Sequence, residues 1–170
     1  MRRSTSFVIA AAALLCAPEA RAQFANKSLG VFPGYMRMNA DPTVDWALPL
    51  SFEGSLYVES GFDLVIRVAP MLVTEKLLQH QMFGASFALG VRYLLSEESL
   101  RPYVGANLAG LYFDRADNKG YGGVGAFAGL DYFVSDSVSL GARAFANFYL
   151  ELNQPVTEGV GVQGGVATYF

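Results

Sequence analysis

Eight stretches of the chain alternate between apolar and polar or small residues with a period of two, and each runs for about ten to fourteen residues. They cover 28–39, 46–58, 61–72, 82–95, 100–113, 120–134, 138–150 and 158–170. A period of two is the signature of a β-strand, whose side chains alternate between two faces. Strands of water-soluble proteins cluster near about 5–6 residues. A tilted strand that crosses a bilayer needs about 9–11, so the lengths fit a membrane crossing. The charged fraction is 16%, against about 25% in a soluble domain. Beyond the N-terminal segment no run of about 18 uncharged apolar residues appears. A chain this apolar with no spanning helix has one membrane solution, a closed barrel in which every backbone group is paired.

The N-terminal segment reads as a secretory signal peptide over 1–22. Arg2 and Arg3 give a positive start, Phe7 to Ala17 form a short apolar core, and "ARA" at Ala20 to Ala22 supplies small cleavage residues. The barrel domain is then expected over 23–170. Cys16 is the chain's one cysteine and leaves with the signal, so no disulfide is expected. Removing Arg2, Arg3, Arg21 and Glu19 from the twelve basic and fifteen acidic residues leaves nine and fourteen, a net of −5. That balance excludes nucleic acid as a natural partner.

The connections alternate in kind. "ESG" (59–61), "SEES" (96–99) and "SDS" (135–137) are tight turns. "ADPTVD" (40–45), "TEKLLQHQ" (74–81), "DRADNK" (114–119) and "ELNQPVTEG" (151–159) are longer and carry charge. Short turns at one end and longer loops at the other are the pattern of an outer-membrane barrel, and an even strand count puts both termini on the short-turn, periplasmic side. The expected fold is an all-β, eight-stranded antiparallel up-and-down transmembrane barrel.

Splitting each run by parity gives an apolar face free of charge in strands two to eight, including Leu48, Ile66, Phe87, Leu108, Ala126, Ala144 and Val162. In the first strand Phe32, Met36 and Met38 are assigned to this face and Arg37 to the other. The opposite parity collects Arg37, Glu53, Asp63, Arg67, Arg92, Arg101, Asp131 and Arg143 among Gly, Ala, Ser and Asn. A soluble lipocalin-like barrel would turn the apolar face inward, and a membrane barrel turns it outward. Lysine is absent from the strand interiors, with Lys27, Lys76 and Lys119 at ends or in loops, which favours the membrane form. Aromatics on the apolar face gather at the strand ends. Trp46, Phe83, Tyr112 and Phe148 would line one rim, and Phe62, Tyr93, Tyr132 and Phe170 the other, as girdles at the two membrane interfaces.

The lumen of an eight-stranded barrel is just wide enough for its own side chains. The inward charges then need partners, because an unpaired buried charge is costly. An ion-pair network that plugs the lumen is expected; a narrow Arg-lined water path is the alternative. Some outer-membrane barrels are enzymes, among them lipid A deacylases, palmitoyl transferases and omptin-like proteases, and these need a histidine near a nucleophile or carboxylate. The one histidine, His80, stands in a polar loop between Gln79 and Gln81. No cluster has metal-ligand spacing. "DRADNKG" lacks the spacing and distal Glu of a calcium loop. The expectation is a protein with no catalytic residues and no cofactor or metal.

"LRPYVGANLAGLYF", Leu100 to Phe113, resembles the Pro-Tyr-Val-Gly-Ala strand of the small outer-membrane β-barrel families around OmpA, OmpX and OmpW. The last strand resembles the signal read by the barrel assembly machinery, with Gln163, Gly165 and Phe170 matching it and Thr168 departing from it. The resemblance implies insertion into the lipids of a Gram-negative outer membrane by that machinery. The reading of the chain as a whole is a structural or interaction role, for example as the barrel subunit of an envelope complex, with protein partners the sequence does not name. The runner-up is a narrow pore for small solutes, and a third reading is a lipid-modifying enzyme. No OmpA-like peptidoglycan domain and no long OmpX-like protruding strands are expected. Resemblance to OmpW implies a conduit for small hydrophobic molecules, which nothing in the lumen residues confirms.

Overall fold

The computed structural model describes residues 26–39, 44–75, 81–114, 120–150 and 157–170. The expected signal segment 1–22 and the loop residue His80 lie outside them. Eight strands follow one another: β1 Lys27–Asn39, β2 Val44–Glu59, β3 Phe62–Glu75, β4 Gln81–Leu94, β5 Leu100–Phe113, β6 Gly120–Ser135, β7 Val138–Leu150 and β8 Thr157–Tyr169. Each pairs antiparallel with its neighbour in the chain, and β8 closes on β1 to complete the barrel. The strands run 13 to 16 residues; β1, β2, β3 and β6 are a little longer than the alternation alone marks out, because pairing continues into the ends where the hydrophobic pattern has faded.

At the short-turn end the chain reverses within two residues. Ser60 and Gly61 between β2 and β3 both have positive φ, 54° and 83°. That is the mirror-image turn whose twist matches a right-handed hairpin. Glycine takes the second position without penalty, and serine tolerates the first. The β6–β7 turn is also tight, at Asp136 and Ser137, with a register shift between Phe133 and Ser135.

Closure fixes the face of every side chain. Leu48, Ile66, Phe87, Leu89, Leu108, Val124, Leu140 and Val162 are all exposed on the outside. In water so continuous an apolar surface would drive aggregation; in a bilayer it is the solvated face. The molecule is a transmembrane β-barrel, and the soluble alternative is excluded by this outward apolar belt.

The expectation for β1 is corrected. Phe32, Met36 and Met38 are 3%, 2% and 1% exposed and point into the lumen, while Arg37 is exposed on the outside. The register sets this: Gly30 pairs with inward Glu53, and Arg37 pairs with Trp46 of the outward face. Residues directly opposite on paired strands share a face. The strand misleads because both of its faces are apolar. Ser28, Gly30 and Gly34 share the Phe32 face, and small residues there let the large ones fit.

The lumen is also richer in rings than the parity split suggests. Tyr103, Phe113, Tyr121, Phe127, Phe145, Tyr149 and Tyr169 are buried inside. Large residues face small ones across the ladder: Phe127 pairs with Gly105, Tyr103 with Gly129, and Phe145 with Gly161. A Cβ on Gly129 would lie 2.6 Å from the Tyr103 hydroxyl. Glycine is required there for the ring to cross the lumen.

Candidate functional site

The lumen divides into a polar layer near the short-turn end and an apolar layer near the long-loop end. The apolar layer holds Met36, Met38, Met71, Val73, Leu111, Phe113 and Tyr149 in one packed cluster. The polar layer is built from side chains that strand alternation brings inward on β2, β3, β4, β6, β7 and β8.

Glu53 on β2 is 5% exposed and accepts from two arginines on different strands. Arg67 on β3 offers Nε and Nη2, both 3.0 Å from Glu53 Oε2. Arg143 Nη1 on β7 bonds the same oxygen from the far wall. Arg143 Nε also donates to Gln163 Oε1 at 2.7 Å, and Gln163 Nε2 donates to Ser51 Oγ at 2.5 Å.

Arg92 on β4 is the second centre. Its Nε donates to Asp63 Oδ2 at 2.6 Å and its Nη1 to Asp131 Oδ2 at 3.3 Å. Its Nη2 lies 3.5 Å from both Ser55 Oγ and the Tyr169 hydroxyl. The Tyr169 hydroxyl in turn donates to Asp131 Oδ2 at 3.2 Å. Rings cover the guanidinium faces: Phe127 against Arg67 at 5.2 Å, Tyr103 against Arg92 at 5.0 Å, and Phe32 against Arg143 at 4.5 Å. Such cation–π contacts strengthen when water is excluded, to about 2 kcal/mol.

Three guanidinium groups thus meet three carboxylates, Glu53, Asp63 and Asp131. The expected lumen set carried five arginines against three acids. Arg37 is the first correction, since it is outside. Arg101 is the second. It is half-buried at the short-turn rim, where it donates to the Glu98 carbonyl at 3.1 Å and lies 4.1 Å over the Phe133 ring. Its register partner is Asp131, but that carboxylate is taken by Arg92 and Tyr169. Removing the two strays leaves the buried set electrically balanced, as burial demands. Sequence reasoning missed Tyr103, Tyr169, Ser51 and Ser55; the inward parity of their strands is the signal that finds them.

The space left over is small. One cavity of about 20 Å³ lies at the short-turn end beside Tyr57, Asp63, Arg92 and Arg101, and another of about 20 Å³ beside Ser51, Arg67, Asn147 and Gln163. Each has room for about one water. Among the described residues no group of three His, Cys, Asp or Glu side chains is placed to hold a metal ion.

The remaining expected residues lie on the outside or in the wall. Phe62, Phe83, Tyr93, Tyr112, Tyr132, Phe148 and Phe170 are exposed near strand ends, between 41% and 59%, and Trp46 is half-exposed. Gln163 is inside, bonded to Arg143, and Gly165 packs inward against the β1 backbone at Phe32. The Phe170 ring points out while its backbone closes the seam with Lys27 by two hydrogen bonds, 3.0 and 3.3 Å.

No protein-family model and no curated relative matches the sequence. Solved structures do match in fold. Neisserial surface protein A (NspA) superposes with a TM-score of 0.66 at 17% identity, over 85% of this chain and 97% of that one. The outer membrane protein OprG of Pseudomonas aeruginosa gives 0.61 at 14% identity, over 85% and 96%. The outer membrane enzyme PagL gives 0.58 at 11% identity, over 80% and 97%. The chain has the fold of the small eight-stranded outer-membrane β-barrels.

Proposed function

We propose that this protein is a sealed, non-catalytic barrel of a Gram-negative outer membrane, with a structural or interaction role. Its termini lie in the periplasm and its long loops outside. The observation that carries this reading is the two-centred network of Glu53 and Arg92, which ties β2, β3, β4, β6 and β7 together across the lumen. A conducting path would need a continuous file of water. Here the guanidinium groups occupy that file, each held by a carboxylate and capped by a ring.

Opening the lumen would separate charges in a medium that screens them weakly, which costs several kcal/mol per broken pair. The two cavities of about 20 Å³ lie in different layers, and Met36, Phe113 and Tyr149 fill the long-loop half. PagL, an outer membrane enzyme, shares the fold. Fold alone therefore assigns no chemistry, and the non-catalytic reading rests on a lumen whose ionisable groups are consumed by one another.

Planar-bilayer recording of the purified barrel tests the reading. The expected result is no steady single-channel conductance in the parent protein, with conductance appearing in Arg92→Ala. Steady conductance in the parent would establish the pore reading instead. Lipid-modifying activity that vanishes in His80→Ala would establish the enzymatic one.

A further inference from the structure

Arg37 has no role in the lumen network, and its position outside asks for another partner. It stands on β1 near the long-loop end, paired with Trp46 of β2 and Val160 of β8. All three side chains face out. Tyr35, two residues back on the same face, stacks on Trp46 with ring centroids 6.3 Å apart and planes 26° from parallel. Among the described residues Arg37 makes no ion pair. Among the described residues the outward carboxylate closest in register is Glu158, opposite Asn39, and no salt bridge joins it to Arg37.

The level of Arg37 follows from the strand. Lys27, the first residue of β1, is the strand's other cation, ten positions away on the same parity. At about 3.3 Å per residue and a tilt of about 40°, ten residues climb about 25 Å, the height of the apolar band on such barrels. Between the two cations the outward face of β1 is Leu29, Val31, Pro33 and Tyr35, all uncharged. Arg37 therefore lies at one headgroup boundary and Lys27 at the other. Trp46 and Tyr35 fix that boundary, because amphipathic rings settle at the interface.

An exposed guanidinium at this level meets phosphate. Its planar fork makes two parallel charge-assisted bonds to a phosphate group. The stacked Tyr35–Trp46 pair beside it offers a flat wall for a sugar ring. We infer that Arg37, Tyr35 and Trp46 form a surface site for the phosphate of an outer-leaflet glycolipid. This rests on the reading that the long loops face outward from the cell.

Trp46 is the chain's one tryptophan, so its fluorescence reports on the site directly. The full protein in phosphatidylcholine nanodiscs is titrated with bis-phosphorylated lipid A, with its dephosphorylated form, and with inorganic phosphate. Saturable change is expected with the phosphorylated lipid alone. Arg37→Ala and Arg37→Gln should each weaken it about fivefold, with Lys27→Ala unchanged and all variants keeping heat-modifiable gel mobility. Equal binding of the dephosphorylated lipid, or parent-like binding by both Arg37 variants, overturns the site. A full response to inorganic phosphate overturns the lipid as its ligand. Cysteine labelling of Asn153→Cys on intact cells checks orientation separately. Labelling supports the outer leaflet, whereas protection would put the site at the inner leaflet and overturn the orientation and, with it, the outer-leaflet glycolipid as occupant, whatever the titration shows.

Discussion

Arg92 Nη1 lies 3.8 Å from Glu53 Oε1, and this contact joins the two halves of the lumen network. On one side Glu53 gathers Arg67 and Arg143. On the other Arg92 gathers Asp63 and Asp131. Each hub carries three partners of opposite sign, so loss of a hub strands more than one charge.

Glu53→Ala leaves three guanidinium groups facing two carboxylates in a dry lumen. It should cost about 3–5 kcal/mol, the usual penalty for removing one partner of a buried pair. Replacing Glu53 and Arg67 together with Met leaves Arg92 and Arg143 against Asp63 and Asp131, which restores the balance, and should cost less than Glu53→Ala alone. Urea titration of the barrel in lipid vesicles, followed by gel mobility, compares the two. A double variant weaker than the single one would show that the network stabilises in its own right.

The fit of the polar layer makes a second prediction, at two glycines on neighbouring strands. A Cβ on Gly141 would stand 2.6 Å from Asp131 Oδ1 and 2.8 Å from Phe32 Cε1. Gly141→Ala must displace both, at about 1–3 kcal/mol. On outward Gly164 the nearest atom to an added Cβ is the Gly141 carbonyl oxygen at 3.7 Å, and Gly164→Ala should be neutral. The same vesicle unfolding assay reads both. Equal costs would mean that the effect belongs to strand backbone and not to lumen packing.

The outer face is tested at Ala126, exposed near the middle of β6. Ala126→Arg puts a charge into hydrocarbon and should cost about 2–4 kcal/mol at the bilayer midplane. Its parity neighbour Phe127 points inward. A variant as stable as the parent in vesicles, with unchanged heat-modifiable mobility, would contradict the assignment of faces.

Strand number, order and seven of the eight face assignments were legible in the sequence, because a bilayer forbids charge on the outward face and so marks it in every strand it wets. β1 escaped for a physical reason. Phe32, Met36 and Met38 look like lipid-facing residues, and Arg37 looks like a lumen charge. Only the register with β2 and β8 shows otherwise. Arg101 was placed inward by the same parity logic, yet its depth at the rim depends on turn position. The Arg92 hub was out of reach altogether. Contacts such as Arg92 with Tyr169, 77 residues apart, arise from barrel closure, and local periodicity carries no trace of them.

The last strand offers a separation of roles between two residues of the assembly motif. Gln163 points inward and bridges Arg143 to Ser51. Gln163→Ala leaves both without that partner and should lower the stability of the assembled barrel by about 1–3 kcal/mol. Phe170 points outward, 59% exposed, and its seam hydrogen bonds with Lys27 use backbone atoms alone. Phe170→Ala keeps those bonds and removes only a lipid-facing ring. If the ring is read by the assembly machinery, Phe170→Ala should cut the yield of folded barrel in cells while leaving unfolding of the purified barrel nearly unchanged. Gln163→Ala should show the reverse balance. Parallel losses of yield and stability in Phe170→Ala would reduce its ring to packing at the interface.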